Sequence, residues 1–126
     1  MLEKARLWIS KRKPWVFENN ILPKLLSKVA PIDVFAFSAG PFVFCREELP
    51  DRTRRHETIH YHQQLEMLFV FQWLLYAYYT VAARVKGLSG REAYYANPFE
   101  LEAYDNDETV DYLENRPMWA WRTYLP

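Results

Sequence analysis

The sequence predicts an α+β fold, mostly helical, with a small β-hairpin or short sheet packed on one long helix and a second helix bringing an acid to it. Three observations carry this. All three histidines lie in His56-Glu57-Thr58-Ile59-His60-Tyr61-His62, inside a stretch from Arg52 with no Gly or Pro until Gly87. Before it, the pattern switches to β-formers, Val34-Phe35-Ala36-Phe37 and Phe42-Val43-Phe44-Cys45, around Ser38-Ala39-Gly40-Pro41. After it, Asn97-Pro98 places a capping side chain and a first-turn proline at the start of another helix.

The chain has 126 residues, which bounds it to one domain, 1–126. Half the residues are hydrophobic, so a substantial core is expected. Formal charge sums to zero but is unevenly placed. Residues 1–55 carry 11 basic and 6 acidic side chains, and residues 56–126 carry 5 and 10. The two halves are expected to pack with complementary fields. The basic residues are scattered and no nucleic-acid reader motif is present, so no nucleic-acid partner is expected. The single cysteine, Cys45, permits no intrachain disulfide. It reads as a small core residue, with a regulatory thiol or a metal ligand as the sharper options.

Taken in order, residues 1–31 form an N-terminal helical segment. Leu2, Ala5, Trp8 and Ile9 share a side, and 15–30 is an irregular helix that Pro23 interrupts or reopens and Pro31 ends. No secretory apolar run is present, so a cytoplasmic location is expected. Lys11-Arg12-Lys13 could still rest on a membrane surface. Residues 32–46 hold the hairpin. Asp51 or Thr53 is expected to cap the next helix, 52–86. Its second half, 67–83, has no formal charge. That run is shorter than the ~20 apolar residues of a membrane span. It is read as the central helix of the core, with membrane association the alternative. Lys86 to Gly90 is the clearest break. A helix over 98–115 follows, and an aromatic tail, 116–126, folds back with Trp119, Trp121 and Tyr124.

His-Glu-x-x-His on a helix has a mechanism. Positions i and i+4 share a face, so His56 and His60 can turn ring nitrogens toward one metal ion. Glu57 stands about 100° around the helix, where it can reach a metal-bound water without ligating. His62 lies about 200° from His60 and should point away. A catalytic site needs a third ligand, and with no other histidine near it must be a carboxylate. On an ideal helix Glu100 shares a stripe with Phe99, Ala103 and Tyr104, whereas Glu102 falls about 200° away on the expected wet face. The bland account of Glu100 is a capping box, Asn97-x-x-Glu100, which needs no metal. Asp107 and Asp111, one turn apart, could each orient a histidine by accepting its outer ring N–H.

RHETIH, followed about forty residues later by NPFELEAY, resembles the gluzincin-type zinc metallopeptidases, especially the very small ones. The resemblance runs from the hairpin through helix 98–115. It implies a zincin-like fold, a Zn2+ cofactor and a peptide or protein substrate. It also implies a strand just before the active-site helix that pairs with extended substrate, a role for which Phe42, Val43 and Phe44 are placed. Tyr104 stands where the family's E-x-x-A-D pattern has Asp, so Asp107 or Asp111 must steady a histidine instead. No signal assigns a transition-state stabiliser; Tyr104, Tyr94 and Tyr95 are the hydroxyls nominated.

Two functions follow from these residues. One is a zinc-dependent peptidase with His56, His60 and Glu100 as ligands and Glu57 as general base. The other is an inactive module with a structural metal or none, acting through its aromatic helix on a membrane or a protein. The sequence carries no signal of oligomeric state.

Overall fold

A computed structural model describes residues 2–126. It is α+β and mostly helical, with one three-stranded sheet. Strand β1 is Trp15–Phe17, β2 is Ala36–Ala39 and β3 is Phe42–Cys45. Gly40 makes the turn between β2 and β3 with φ of 60°, a left-handed conformation that glycine takes at little steric cost. The two strands pair antiparallel, Phe37 opposite Phe44, and β1 adds in parallel, Val16 opposite Val43. The sheet order is therefore β1-β3-β2.

This corrects two expectations. Residues 15–17 are a strand, not part of a helical segment 1–31. Trp-Val-Phe is a β-branched and aromatic triplet, and its rings lie against β3, Trp15 at 5.5 Å from Phe42 and Phe17 at 5.3 Å from Phe44. A parallel partner far along the chain leaves no local turn signal to read. Helices remain only at α1, Leu2–Ser10, and α2, Leu22–Ser27, which Pro23 opens. The second correction concerns Phe42, Val43 and Phe44. They form the central strand, hydrogen-bonded on both sides, so they have no free edge to offer an extended peptide. Val43 and Cys45 instead point into the core with Leu49.

Helix α3 spans Asp51–Glu66. Pro50 takes the capping position, so neither Asp51 nor Thr53 caps it; Asp51 lies in the first turn, where its charge suits the helix dipole. The expected helix 52–86 is two helices. α4 spans Val70–Val85 and leaves α3 at 112°. Leu68 and Phe69 make the corner with positive φ, 55° and 62°. Phe69, with ψ of −62°, is the centre of a γ-turn closed by Val70 N donating to Leu68 O (2.6 Å), a rare and strained turn. Gln64 holds the corner. Its carbonyl accepts from Phe69 N (2.7 Å), and its side-chain oxygen accepts from Gly40 N (2.9 Å) and Trp73 Nε1 (3.1 Å). Its amide donates to Ser38 Oγ (3.1 Å). One buried glutamine thus ties the hairpin, α3 and α4 together.

Helix α5, Gly90–Ala96, begins with a capping box made by Ser89 and Glu92. Helix α6, Pro98–Asn106, begins at Asn97, whose side chain accepts from Phe99 N. The expected helix 98–115 stops there, and α7, Tyr112–Asn115, follows a turn. The tail forms a 3-10 turn, Ala120–Tyr124, that sets Trp121 on Phe99 at 4.8 Å. Glu102, expected on a wet face, is fully buried. The reason is that α7 and the tail cover the side a lone helix would give to water. Arg116 donates to both carboxyl oxygens of Glu102 (2.5 and 3.0 Å) and to both of Glu66 (2.8 and 3.0 Å). Tyr112 and Gln63 also donate to Glu102.

This fully satisfied buried cluster yields a stability prediction. Arg116→Met would strand two buried carboxylates and lower the unfolding free energy by about 3–5 kcal/mol, read from guanidinium denaturation. A loss below about 1 kcal/mol would show that the cluster does not hold the tail.

Candidate metal centre

Two turns of α3 and the first turn of α6 meet at one point. His56 and His60 sit one above the other on α3, and Glu100 reaches them from α6. Glu100 Oε1 lies 2.9 Å from His60 Nε2 and 3.3 Å from His56 Nε2, and the two Nε2 atoms are 3.2 Å apart. All three residues are buried. The capping-box account of Glu100 fails, because its carboxylate is spent on the histidines and Asn97 caps α6 alone.

The outer ring nitrogens are committed elsewhere. His56 Nδ1 donates to Asp107 Oδ2 (3.0 Å), and Arg52 holds the other oxygen of that acid (2.9 Å). His60 Nδ1 donates to Gln63 Oε1 (2.9 Å). The Gln63 amide is fixed in that sense because its nitrogen donates to Phe99 O and Glu102. With each Nδ1 carrying a proton, a neutral ring turns its Nε2 lone pair inward. Two lone pairs and a carboxylate oxygen then converge, and the arrangement calls for a cation, either a proton or a metal ion. Tyr76 donates its hydroxyl to Glu100 Oε2 (2.7 Å), which leaves Oε1 to the rings.

The electrostatics agree. Burial alone would lower the pKa of His60, but the charge and hydrogen bond of Glu100 lift it to about 10. Burial raises Glu100, and the two histidines outweigh it and hold the carboxyl well below the usual range. Burial pushes the Glu57 carboxyl up, against the pull of both histidines.

His56, Glu57 and His60 form a buried group that could hold a metal ion, with one ligand atom from each within 4.8 Å of the others. Glu57 stands off, its nearest oxygen 4.0 Å from His56 Nε2. Glu100 is the closer carboxylate to both rings. The two acids therefore occupy different places beside the same histidine pair.

Glu57 also lies where two cavities adjoin. One, of about 370 Å³, extends past His60 and Glu100 toward Gln64 and Tyr76; the other, of about 300 Å³, extends past His56 toward Tyr104 and Asp107. Ala36 lines both. Strand β2 is a sheet edge, and its phase is set by Arg46 N donating to Phe35 O (3.0 Å). Residues 35, 37 and 39 turn their backbone groups to β3, and Ala36 and Ser38 turn theirs to the open edge along the cleft. The edge expected of β3 belongs to β2.

The other expected residues divide. Asp107 orients His56, and Asp111 does not reach the site; it is exposed, next to Asn115. Tyr104 stands edge-on to the His56 ring at 4.4 Å, and its hydroxyl meets that of Tyr94 at 3.0 Å. Burial pushes the Tyr104 phenol up to about 12. His62 points away and donates Nε2–H to Arg12 O (2.8 Å); burial lowers its pKa to about 4. Cys45 is a buried free thiol in the core, with burial raising its pKa. Three residues at the site escaped the sequence reading. Gln63 was findable, one turn after His60. Tyr76 and Gln72 were not, because the corner at 68–69 that aims them carries no sequence signal. Gln72 is the one buried residue of α4, and it lines the larger cavity.

Asp107 tests whether the cluster is built to bind metal. Asp107→Asn should weaken affinity for cobalt(II), followed by its visible absorption, by about 10–100-fold. Unchanged affinity would remove Asp107 from the site. No protein-family model, curated protein or solved structure matches this chain.

Proposed function

We propose that the chain is a zinc-dependent metallopeptidase of zincin-like organisation. The reading rests on one observation: two Nε2 atoms and one carboxylate oxygen form a triangle with edges of 3.2, 3.3 and 2.9 Å. Ligands bound tetrahedrally at 2.0–2.1 Å would lie ~3.3 Å apart, so the donor set suits zinc in size and in chemistry. His56, His60 and Glu100 would hold the ion, and Asp107, Gln63 and Tyr76 would each fix one ligand's orientation. Bound zinc supplies a Lewis acid that acidifies water and polarises a carbonyl.

The remaining roles fall to the chain. Ala36 and Ser38 on the open edge of β2 would pair with an extended peptide lying across both cavities, which favours a peptide substrate over a compact one. Glu57, between the cavities, would take a proton from the attacking water and return it to the departing amine. Its raised pKa suits a group that must both accept and release that proton. Tyr94 lines both cavities, and its hydroxyl partner Tyr104 packs on His56. Their paired hydroxyls would supply a donor to an oxyanion forming beside His56.

One observation favours the inactive module. With His60 protonated, Glu100 and the two rings close as a hydrogen-bonded ion pair that needs no metal. The two readings separate cleanly by mutation. Glu57→Gln should keep zinc and slow cleavage of an unfolded protein such as casein by about 10²–10⁴-fold, whereas His60→Ala should lose both zinc and cleavage. Undiminished cleavage by Glu57→Gln would refute the mechanism, and an inactive wild type without bound zinc would favour the module.

A further inference from the structure

The larger cavity opens between two helices whose outer faces are apolar. On α4, Val70, Phe71, Leu74, Tyr78, Val81 and Val85 follow helical spacing and are each 53–81% exposed. Across the cavity stands α2, where Leu25 and Leu26 are partly exposed and Val29 beyond the helix is 82% exposed. Leu26 and Ala30 face Trp73 and Ala77 over the cavity. The chain after α2 meets the start of α5, just beyond the end of α4: a Cβ on Gly90 would lie 2.9 Å from Pro31 and 3.8 Å from the Arg84 guanidinium. The six exposed residues of α4 lie on the side of the helix turned away from the cavity, ~140° around from the lining residues Gln72, Trp73, Tyr76 and Ala77.

Charge selects what covers them. Residues 19–32 and 67–91 contain Lys24, Lys28, Arg84, Lys86 and Arg91, all exposed, and no carboxylate. Asp33 and Glu92 lie just outside these segments, but α2 and α4 themselves carry cations and no carboxylate, which suits an anionic lipid surface with apolar side chains below the headgroups and cations at their level. A second copy fits poorly, since a two-fold contact through this face would set its cations against themselves. Among the described residues, no single helix is long and apolar enough to cross a membrane. α4 has 16 residues, and at 1.5 Å each it spans ~24 Å against a hydrocarbon core of ~30 Å, too short to cross alone.

We propose that α2 and α4 form a docking face for anionic membranes. The docking does not depend on the chemistry of the metal centre. It assigns the membrane contact to α4; α1 also exposes Leu2, Leu7 and Trp8, and the Trp8→Ser variant separates the two surfaces.

Co-sedimentation of the full chain with vesicles tests this. Binding to equimolar phosphatidylglycerol and phosphatidylcholine should exceed binding to phosphatidylcholine alone at least tenfold. The pair Phe71→Ser and Leu74→Ser, and separately Lys24→Glu with Lys28→Glu, should each reduce it at least tenfold. Trp8→Ser should leave it unchanged. Circular dichroism checks that the variants are folded, and Val81→Ser, at the far end of the face, replaces the first pair if that pair unfolds. No binding to either vesicle, or equal binding by folded variants, overturns the proposal. So does a lipid-independent dimer that Phe71→Ser and Leu74→Ser dissociate, which would assign the face to a second copy.

Discussion

Two imidazole nitrogens and a carboxylate oxygen converge where α3 and α6 cross, and their convergence constrains the surrounding structure. Each of the three residues is less than a tenth exposed. Burying them unpaired would cost several kcal/mol, so the groups must share a cation and be hydrogen-bonded on every other polar atom. The surrounding residues meet that demand one by one. Asp107 takes one ring, Gln63 the other, and Tyr76 takes the free carboxyl oxygen. Gln63 is held in turn by Glu102, which Arg116 bridges to Glu66. The order at the centre therefore passes outward, through a chain of charged and amide groups, to the tail.

The positive-φ corner at Leu68 and Phe69 is the second device on which the site depends. A straight helix would have carried Gln72 and Tyr76 away from α6. The 112° turn brings Tyr76 to Glu100 and Gln72 to the cavity wall. The unfavourable backbone at two residues is offset locally by Gln64, which bonds the corner, the hairpin turn and Trp73 at once. The same turn swings the apolar side of α4 outward. The corner thus sets both the wall of the cleft and the outer, apolar side of α4.

Much of the centre was legible from residues alone. Helical arithmetic places His56 and His60 on one face, turns His62 away and aims Glu100 inward; Asp107 follows one turn after Ala103. What was hidden lies where a local rule meets a distant partner. Trp15-Val16-Phe17 becomes a strand only because β3 is there to receive it. Glu102 looks solvent-facing until α7 and the tail cover it. Phe42, Val43 and Phe44 read as an accessible strand, and β1 closes the edge they would have used. Leu68 and Phe69 carry no turn chemistry, so a break held by Gln64 reads as continuous helix. Each failure is one of tertiary context overriding a correct local preference.

Whether a metal ion, and not a proton, is the cation shared at the crossing is the central question. Elemental analysis of protein purified without added metal answers it, run on the wild type, His60→Ala and Glu100→Ala. One zinc per wild-type chain, with both variants near zero, is the predicted result. A wild type without metal, or a Glu100→Ala protein that keeps its full complement, would contradict the account.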